Sequence, residues 1–167
     1  MMPSEESRVR TIEREVRARR RNSVEQKCSF CEMIDGGKKP PNLILENDYA
    51  FGVFGGYYRE GHCTVIPKRH IEAFSQMKPE EYAPTFDLIA KISKALEQHY
   101  NVKKTYMLAI ADMVYHTHFH LIPKHPNLVG MGKYSFRVLE VIEGYKNTPK
   151  DEQERMAKVV RSLIPAS

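Results

Sequence analysis

Three histidines at alternate positions constrain this chain more than any other feature. The stretch YHTHFHLIP, residues 115–123, places His116, His118 and His120 two residues apart, with small or apolar residues between them. Successive side chains of a strand point to opposite faces, so we predict a strand with three imidazoles on one face and a core-facing side opposite. Any strand with one solvated face also carries polar residues at alternate positions. Three consecutive imidazoles opposite an apolar side nevertheless favour a functional site.

Two kinds of chemistry use such a row of imidazoles. Imidazole is a common nitrogen ligand for zinc, and its pKa near neutrality also makes it a nucleophile and proton carrier. The motif CSFC supplies two thiolates, Cys28 and Cys31, at zinc spacing. A closed tetrahedral site would need two further ligands, most plausibly histidines. Two small buried residues in a turn would give the same cysteine spacing.

The chain of 167 residues, 41% of them hydrophobic, is long enough for one domain with an ordinary core. Its apolar runs are short and interrupted by charge, which argues against a membrane span or a secretory segment. Three cysteines are too few and odd in number for a disulfide framework, which fits a reducing compartment. We therefore expect a soluble, cytoplasmic protein.

The first 27 residues form an Arg-rich segment that we predict to be a helical extension of a single domain at 28–167. The segment holds eight Lys or Arg against five Glu and has no aromatic residue. Its Glu-first, Arg-last order favours a helix through the macrodipole. Arg19, Arg20 and Arg21 could contact nucleic acid or an acidic partner, although a solvated helix would show the same charge run.

The rest of the chain alternates short β-like runs with two helical patterns. Turn residues separate the first runs, and apolar residues at helical spacing precede position 100. The pattern predicts strands at 43–46, 50–54, 63–66, 106–110 and 114–122, a possible strand at 136–142, and helices that end near 100 and span 150–163.

Three ordered motifs resemble those of the histidine triad (HIT) superfamily. The stretch HTHFHLI, residues 116–122, fits His-φ-His-φ-His-φ-φ, where φ is apolar and Thr117 is mildly polar. The stretch CSFCEMI, residues 28–34, resembles the family's opening segment, and GHCTVIPKRH, residues 61–70, resembles its second signature. The resemblance covers roughly residues 28 to 124.

This resemblance implies an α+β fold, in which helices pack on a five-stranded antiparallel sheet. It also implies a homodimer that shares a larger sheet, and a nucleotide pocket over the triad. Members attack the α-phosphorus of nucleotides, so His118 would form a nucleotidyl-imidazole intermediate, His120 would donate to the phosphate, and His116 would complete the catalytic set. We expect a hydrolase of dinucleoside polyphosphates or nucleoside phosphoramidates. A nucleotidyltransferase or phosphorylase using the same intermediate, and a catalytically weak nucleotide-binding module, stay open.

Zinc-containing members of the superfamily imply a ligand set for this chain. Carried over, the ligands are Cys28, Cys31, His70 and His116, which would form a closed, structural site. An ordinary surface position is the alternative for His70. A second divalent ion could accompany the substrate.

Several residues depart from the family pattern or have no clear place in it. The acidic residue that many members carry before the second signature is missing from the stretch FGGY, residues 54–57. Asp112, ahead of the triad, is a candidate substrate contact beside His118 and His120. The aromatic residues Phe54, Tyr57 and Tyr58 would stack on a base or simply pack. We expect His62 to be structural, although it could approach the pocket, and Cys63 to be a small buried strand residue.

Overall fold

The structure, a computed structural model, describes residues 28–55, 60–111, 114–126 and 148–165. The predicted extension at 1–27 and the possible strand at 136–142 lie outside these ranges. The described residues form five strands, three α-helices and one short 3-10 turn. In chain order they are α1 (Ser29–Asp35), β1 (Leu43–Glu46), β2 (Ala50–Phe54), β3 (Cys63–Pro67), the 3-10 turn (Phe74–Gln76), α2 (Pro79–Tyr100), β4 (Thr105–Leu108), β5 (Phe119–Pro123) and α3 (Lys150–Ser162).

The five strands form one antiparallel sheet in the order β1-β2-β3-β5-β4. The connection from β1 to β2 is an Asx turn, in which Asn47 Oδ1 accepts hydrogen bonds of 2.9 Å from the backbone N–H groups of Tyr49 and Ala50. This turn ends β1 and starts β2 at the predicted residues. The expected α+β class with a five-stranded antiparallel sheet is therefore confirmed.

One face of the sheet carries the main hydrophobic core. Helices α2 and α3 pack there, and α2 buries Leu88, Ile92 and Leu96 almost completely. Each such leucine or isoleucine contributes about 1.5–3 kcal/mol through removal of apolar surface from water. Asn101, in the left-handed conformation with φ 49°, ends α2. Within the described ranges, no helix has the length and apolar character needed to cross a bilayer.

Helix α1 covers the opposite face. Its half-buried apolar side chains pack on a second apolar cluster of the sheet. Residues directly opposite each other in an antiparallel pair share a face, and Thr64 lies opposite both His120 and Val53. The α1 face is therefore the one that carries His120. The cluster consists of Leu43, Phe51, Val53 and Ile66, against which Phe30, Met33 and Ile34 pack.

The predicted strand at 114–122 is wrong at its start, because β5 begins at Phe119. The His116 N–H donates to Val114 O at 2.7 Å in a tight turn, and the Thr117 N–H donates to Ile71 O at 2.6 Å. These bonds take the backbone out of the ladder with β3. His116 and His118 consequently precede the strand, and the three imidazoles do not form one flat row.

Candidate active site and metal centre

Four of the predicted site residues converge beside α1. Cys28 Sγ lies 3.3 Å from His116 Nδ1, and Cys31 Sγ lies 3.3 Å from His70 Nδ1 and 3.6 Å from His116 Nδ1. The donor atoms of all four residues lie within 4.8 Å of one another. The fold thus assembles, from three separate parts of the chain, the ligand set that the sequence suggests.

His116 is oriented for ligation by its backbone partner. A carbonyl oxygen only accepts, so His116 Nε2 donates to Pro67 O at 2.9 Å, and Nδ1 keeps its lone pair toward the cysteine sulfurs. Such a second hydrogen bond is the usual partner of a metal-bound imidazole. Together with two sulfurs and a second imidazole, this orientation makes the four residues fit a closed zinc site.

The two cysteines favour a cation between them. Burial, the neighbouring Cys28 sulfur and the Asp35 carboxylate raise the pKa of the Cys31 thiol to about 11. The Cys31 thiol therefore resists ionisation unless positive charge is supplied. A bound divalent cation supplies that charge and deprotonates a coordinating thiol.

Beside the cluster, an ion pair joins the end of β3 to α2. Arg69 donates to the Glu81 carboxylate through Nε at 2.7 Å and through Nη2 at 2.8 Å, and also to Gln76 O at 2.7 Å. Glu81 accepts the Lys78 N–H at 2.7 Å and so caps α2. The Arg69 guanidinium holds the pKa of Glu81 down at about 2. The segment that carries His70 is thereby fixed to the helix.

His118 is oriented in the opposite sense to His116. Its Nδ1 donates to His116 O at 2.6 Å, which leaves the lone pair on Nε2. The ring lies between two others, with centroid distances of 5.1 Å to Phe30 and 4.5 Å to His120. Burial lowers the pKa of His118, against the effect of the His116 carbonyl. The neutral imidazole is therefore favoured.

His120 is paired with a histidine that the sequence did not assign to the site. His62 Nε2 lies 3.0 Å from His120 Nδ1, and Thr64 Oγ1 lies 3.4 Å from His62 Nε2. Burial and the neighbouring His118 lower the pKa of His120 to about 4, and burial with both imidazoles lowers the pKa of His62 to about 3. His62 and His120 are thus neutral partners. The sequence alone does not reveal this pairing, because it depends on the strand register that places Thr64, two residues after His62, opposite His120.

Comparison with known proteins agrees with this geometry. The HIT domain family matches residues 57–127. An adenosine 5′-monophosphoramidase of Schizosaccharomyces pombe is 35% identical over 107 residues, which cover 63% of this chain and 80% of the relative. The chain belongs to the HIT family. Members of this family include proteins named as hydrolases of nucleotide derivatives.

Solved HIT structures share the fold. A HIT-like protein from Bartonella henselae has a TM-score of 0.65 at 23% identity, over 83% of this chain and 97% of its own. A zinc-bound histidine triad protein from Mycobacterium smegmatis has a TM-score of 0.61 at 22% identity, over 82% of this chain and 92% of its own. These likenesses confirm the HIT fold of the described residues.

A cavity of about 180 Å³ opens next to α1, on the face that carries His120. Its lining includes the apolar residues Met33 and Phe51. It also includes Glu46, which forms ion pairs with Lys39 and, at 3.4 Å, with Lys68. Lysines outnumber carboxylates around it. An anionic ligand with an apolar part would suit this lining. The lining residues are Met33, Ile34, Gly37, Lys38, Lys39, Pro40, Leu43, Glu46, Phe51 and Lys68.

The remaining sequence candidates divide into two groups. Phe54 is 2% exposed in the main core, so it packs there and does not face the HIT site. Cys63 is fully buried, as expected, and burial raises the pKa of its thiol. Asp112, Tyr57 and Tyr58 lie outside the described residues.

Proposed function

We propose that this HIT protein is a hydrolase of nucleotide conjugates that attacks the α-phosphorus with His118 Nε2. One observation carries the proposal. The 2.6 Å hydrogen bond from His118 Nδ1 to His116 O fixes the tautomer whose Nε2 lone pair is available for attack. A neutral imidazole held in this way is a suitable nucleophile for covalent catalysis.

The proposed reaction has two displacements. In the first, the Nε2 lone pair forms an N–P bond as the bond from phosphorus to the leaving group breaks. The leaving group takes the bonding electrons and receives a proton. In the second, water attacks the same phosphorus and gives up a proton to solvent. The N–P bond breaks, its electrons return to Nε2, and the nucleoside monophosphate is released, which regenerates neutral His118. Splitting one difficult displacement into two easier ones is the advantage of the covalent route.

We assign His120 the role of a hydrogen-bond donor to the phosphoryl oxygens as their charge develops. Its position next to His118, with ring centroids 4.5 Å apart, supports this role. The 3.0 Å contact with His62 Nε2 orients the His120 ring. A site in which nucleophile and neighbour are both fixed by hydrogen bonds favours an enzyme over a binding module.

We propose that zinc is held by Cys28, Cys31, His70 and His116. The four donor atoms already lie within 4.8 Å of one another, and the zinc-bound Mycobacterium smegmatis protein has the same fold. With four protein ligands the metal has no open position, so its contribution is structural. It would tie α1 to the segment that carries the nucleophile.

The cavity beside α1 is our candidate for the base and phosphate chain of the conjugate. It lies on the same face of the sheet as His120, although no triad residue is among its lining residues. Its apolar lining residues suit a flat base, and its lysines suit phosphate oxygens.

The expected homodimer is also a proposal. Strand β4 lies at an edge of the described sheet, where another strand could pair. Phe74 and Phe86 are 50% and 36% exposed and lie 6.1 and 5.8 Å from the buried ring of Phe119. We expect Phe86→Glu to shift the protein toward monomer in sedimentation velocity, and a wild type that stays monomeric at all concentrations would overturn the dimer.

Product analysis tests the proposed activity. Wild type, His118→Ala and the control His125→Ala are incubated with adenosine phosphoramidate and diadenosine tetraphosphate, with and without Mg²⁺ or added phosphate. We expect wild type and the control to release adenosine monophosphate and His118→Ala to release none. A nucleoside diphosphate that forms from adenosine phosphoramidate only with added phosphate would indicate transfer to phosphate. Equal turnover by His118→Ala would overturn the nucleophile.

Metal analysis tests the zinc proposal separately. We expect about one zinc per chain in wild type and in Cys63→Ala, whose cysteine lies in the core, because the site takes one ion. Cys28→Ser and His116→Ala should lose the metal. Undiminished zinc in both variants would overturn the ligand assignment.

A further inference from the structure

The Phe30 side chain contacts both functional regions of the site. It lies between the two cysteines in sequence, on α1. Its ring meets the His116 ring edge-on, with centroids 5.7 Å apart and planes at 84°. It meets the His118 ring in a similar way at 5.1 Å and 70°. One aromatic ring therefore contacts a candidate zinc ligand and the candidate nucleophile at the same time.

The position of Phe30 depends on a weakly anchored helix. Helix α1 has seven residues and no fully buried side chain, and Cys28 at its N-cap makes no side-chain capping bond. Its apolar side chains are only half-buried on the second cluster. The sulfurs of Cys28 and Cys31 approach His116 and His70, respectively, with Sγ–Nδ1 distances of 3.3 Å. A short helix of this kind is marginal alone, so occupancy of the cysteine cluster would decide how firmly Phe30 is held.

The His118 ring in turn relies on Phe30. Its Nδ1 donates to His116 O, and its ring makes edge-on contacts with the rings of His120 and Phe30. Without Phe30, one of these two aromatic neighbours would be absent. The ring would keep its hydrogen bond but gain rotational freedom and exposure.

We propose that Phe30 is a positioning residue that transmits metal occupancy of the cysteine–histidine cluster to the ring of His118. The inference rests on the proposed function, since it takes zinc as the metal and His118 as the nucleophile. Phe30 itself touches no reacting atom. Metal loss would release α1, withdraw the Phe30 ring from His118 and leave the nucleophile less ordered.

A second route from the metal to His118 runs through His116. The His116 ring is a candidate ligand, and its carbonyl accepts the His118 hydrogen bond. This route does not involve Phe30. The two routes therefore predict different behaviour when the Phe30 ring is removed.

The experiment is a cycle that combines zinc removal with substitution of Phe30. Zinc-loaded and chelator-stripped full-length protein is treated with diethylpyrocarbonate at pH 8, where imidazoles are neutral. Peptide mass spectrometry measures the initial rate of modification at His118. The variants are Phe30→Ala, Phe30→Val and the conservative Phe30→Tyr, with Met33→Ala on the same helix as a matched control.

In wild type, we expect stripping to raise the His118 modification rate by at least about five-fold, which is the lower end of typical coupling between sites. In each of Phe30→Ala and Phe30→Val that still binds zinc, the His118 modification rates of the zinc-loaded and the stripped protein should be nearly equal. Phe30→Tyr keeps the ring and should restore the wild-type ratio. Met33→Ala should also keep that ratio.

A wild-type ratio in a zinc-loaded variant without the ring would overturn the proposal in favour of the route through His116. A wild-type rate that is insensitive to zinc removal would overturn it as well. The readout needs no turnover. If the substrate panel shows no activity while the cycle gives the expected ratios, the proposed function fails and the positioning role stands.

Discussion

His116 and His118 are two residues apart, yet the backbone gives their rings opposite orientations. His116 donates from Nε2 to Pro67 O and turns Nδ1 toward the cysteine sulfurs. His118 donates from Nδ1 to His116 O and leaves Nε2 for other chemistry. In each case an acceptor that cannot donate fixes the tautomer. The comparison teaches that the backbone partner of a histidine decides which lone pair the ring offers.

The regions around these two residues also differ in what holds them together. In the cysteine–histidine cluster, His70 is exposed, and both cysteines are half-buried at or near the start of a short helix. In the triad region, His118 and His120 are each only 6% exposed and His62 is 1% exposed. The first region should therefore depend on a bound ion for its order, and the second on burial and neutral hydrogen bonds.

Removing the two histidines one at a time should give the largest effect and separate the regions. We expect His118→Ala to lower kcat/KM by at least about 10⁴-fold, because it removes the proposed nucleophile. The same variant should keep its zinc, whereas His116→Ala should lose it. Steady-state kinetics with adenosine phosphoramidate and metal analysis of the same samples measure both effects. Equal zinc contents in the two variants would contradict the assignment of His116, and not His118, to the metal.

Metal removal should destabilise the protein next most strongly. Chelation should lower the free energy of unfolding by about 3–4 kcal/mol, the effect of a ligand present at 100 to 1,000 times its dissociation constant. Urea unfolding with and without chelator measures the difference. Cys28→Ser should be insensitive to chelator, and Cys63→Ala should respond as wild type does. A wild type that unfolds identically under both conditions would show that no ion holds α1.

The triad region should respond to pH even without metal. The folded pKa of His62, about 3, lies below the unfolded value of about 6.5, so stability is fully present above pH 6.5 and is lost as the pH falls toward 3. At pH 5 the loss from this residue is about 2 kcal/mol. Urea unfolding of chelated protein at pH 7 and pH 5 should therefore show a smaller decrease for His62→Gln than for wild type. The exposed His99→Gln variant should keep the wild-type decrease.

The Arg69–Glu81 pair should give the smallest effect, because the Arg69 side chain is 38% exposed and solvent screens the pair. The pKa of Glu81, about 2, lies below its unfolded value, so the stabilisation is present above about pH 4.3 and is lost as the pH falls toward 2. Glu81→Gln should lower the urea midpoint at pH 7 and match wild type near pH 2. Glu152→Gln, which breaks the exposed pair with Arg155, should change nothing measurable. If Glu81→Gln and wild type had the same urea midpoint at pH 7, the pair would not stabilise this segment.

Local sequence signals were sufficient for much of the fold. The Asn47 turn delimits β1 and β2 at the predicted residues, and the apolar spacing of α2 predicts its end at Tyr100. Signals of this kind act within a few residues. The start of β5 was missed because it depends on the bond from Thr117 N–H to Ile71 O, which joins distant parts of the chain.

In the candidate site too, local sequence features were predictable, whereas contacts between distant parts of the chain were not. The four metal-cluster residues could be named from cysteine spacing and family resemblance, and the structure brings them together. The pairing of His62 with His120 spans 58 positions and depends on the register between β3 and β5. The double contact of Phe30 depends on where α1 docks, which no local pattern specifies. Predictions about Asp112 and the Arg-rich extension stay predictions, since those residues lie outside the described ranges.

The most direct test of the central claim is to locate the covalent intermediate. Wild type and His118→Ala are mixed with excess adenosine phosphoramidate and quenched in alkali, where a phosphorus–nitrogen bond to histidine survives, and the peptides are analysed by mass spectrometry. We predict one adenosine monophosphate group on His118 in wild type and none in the variant. An adduct on another residue, or turnover with no adduct at any quench time, would contradict the assignment of His118 as the nucleophile.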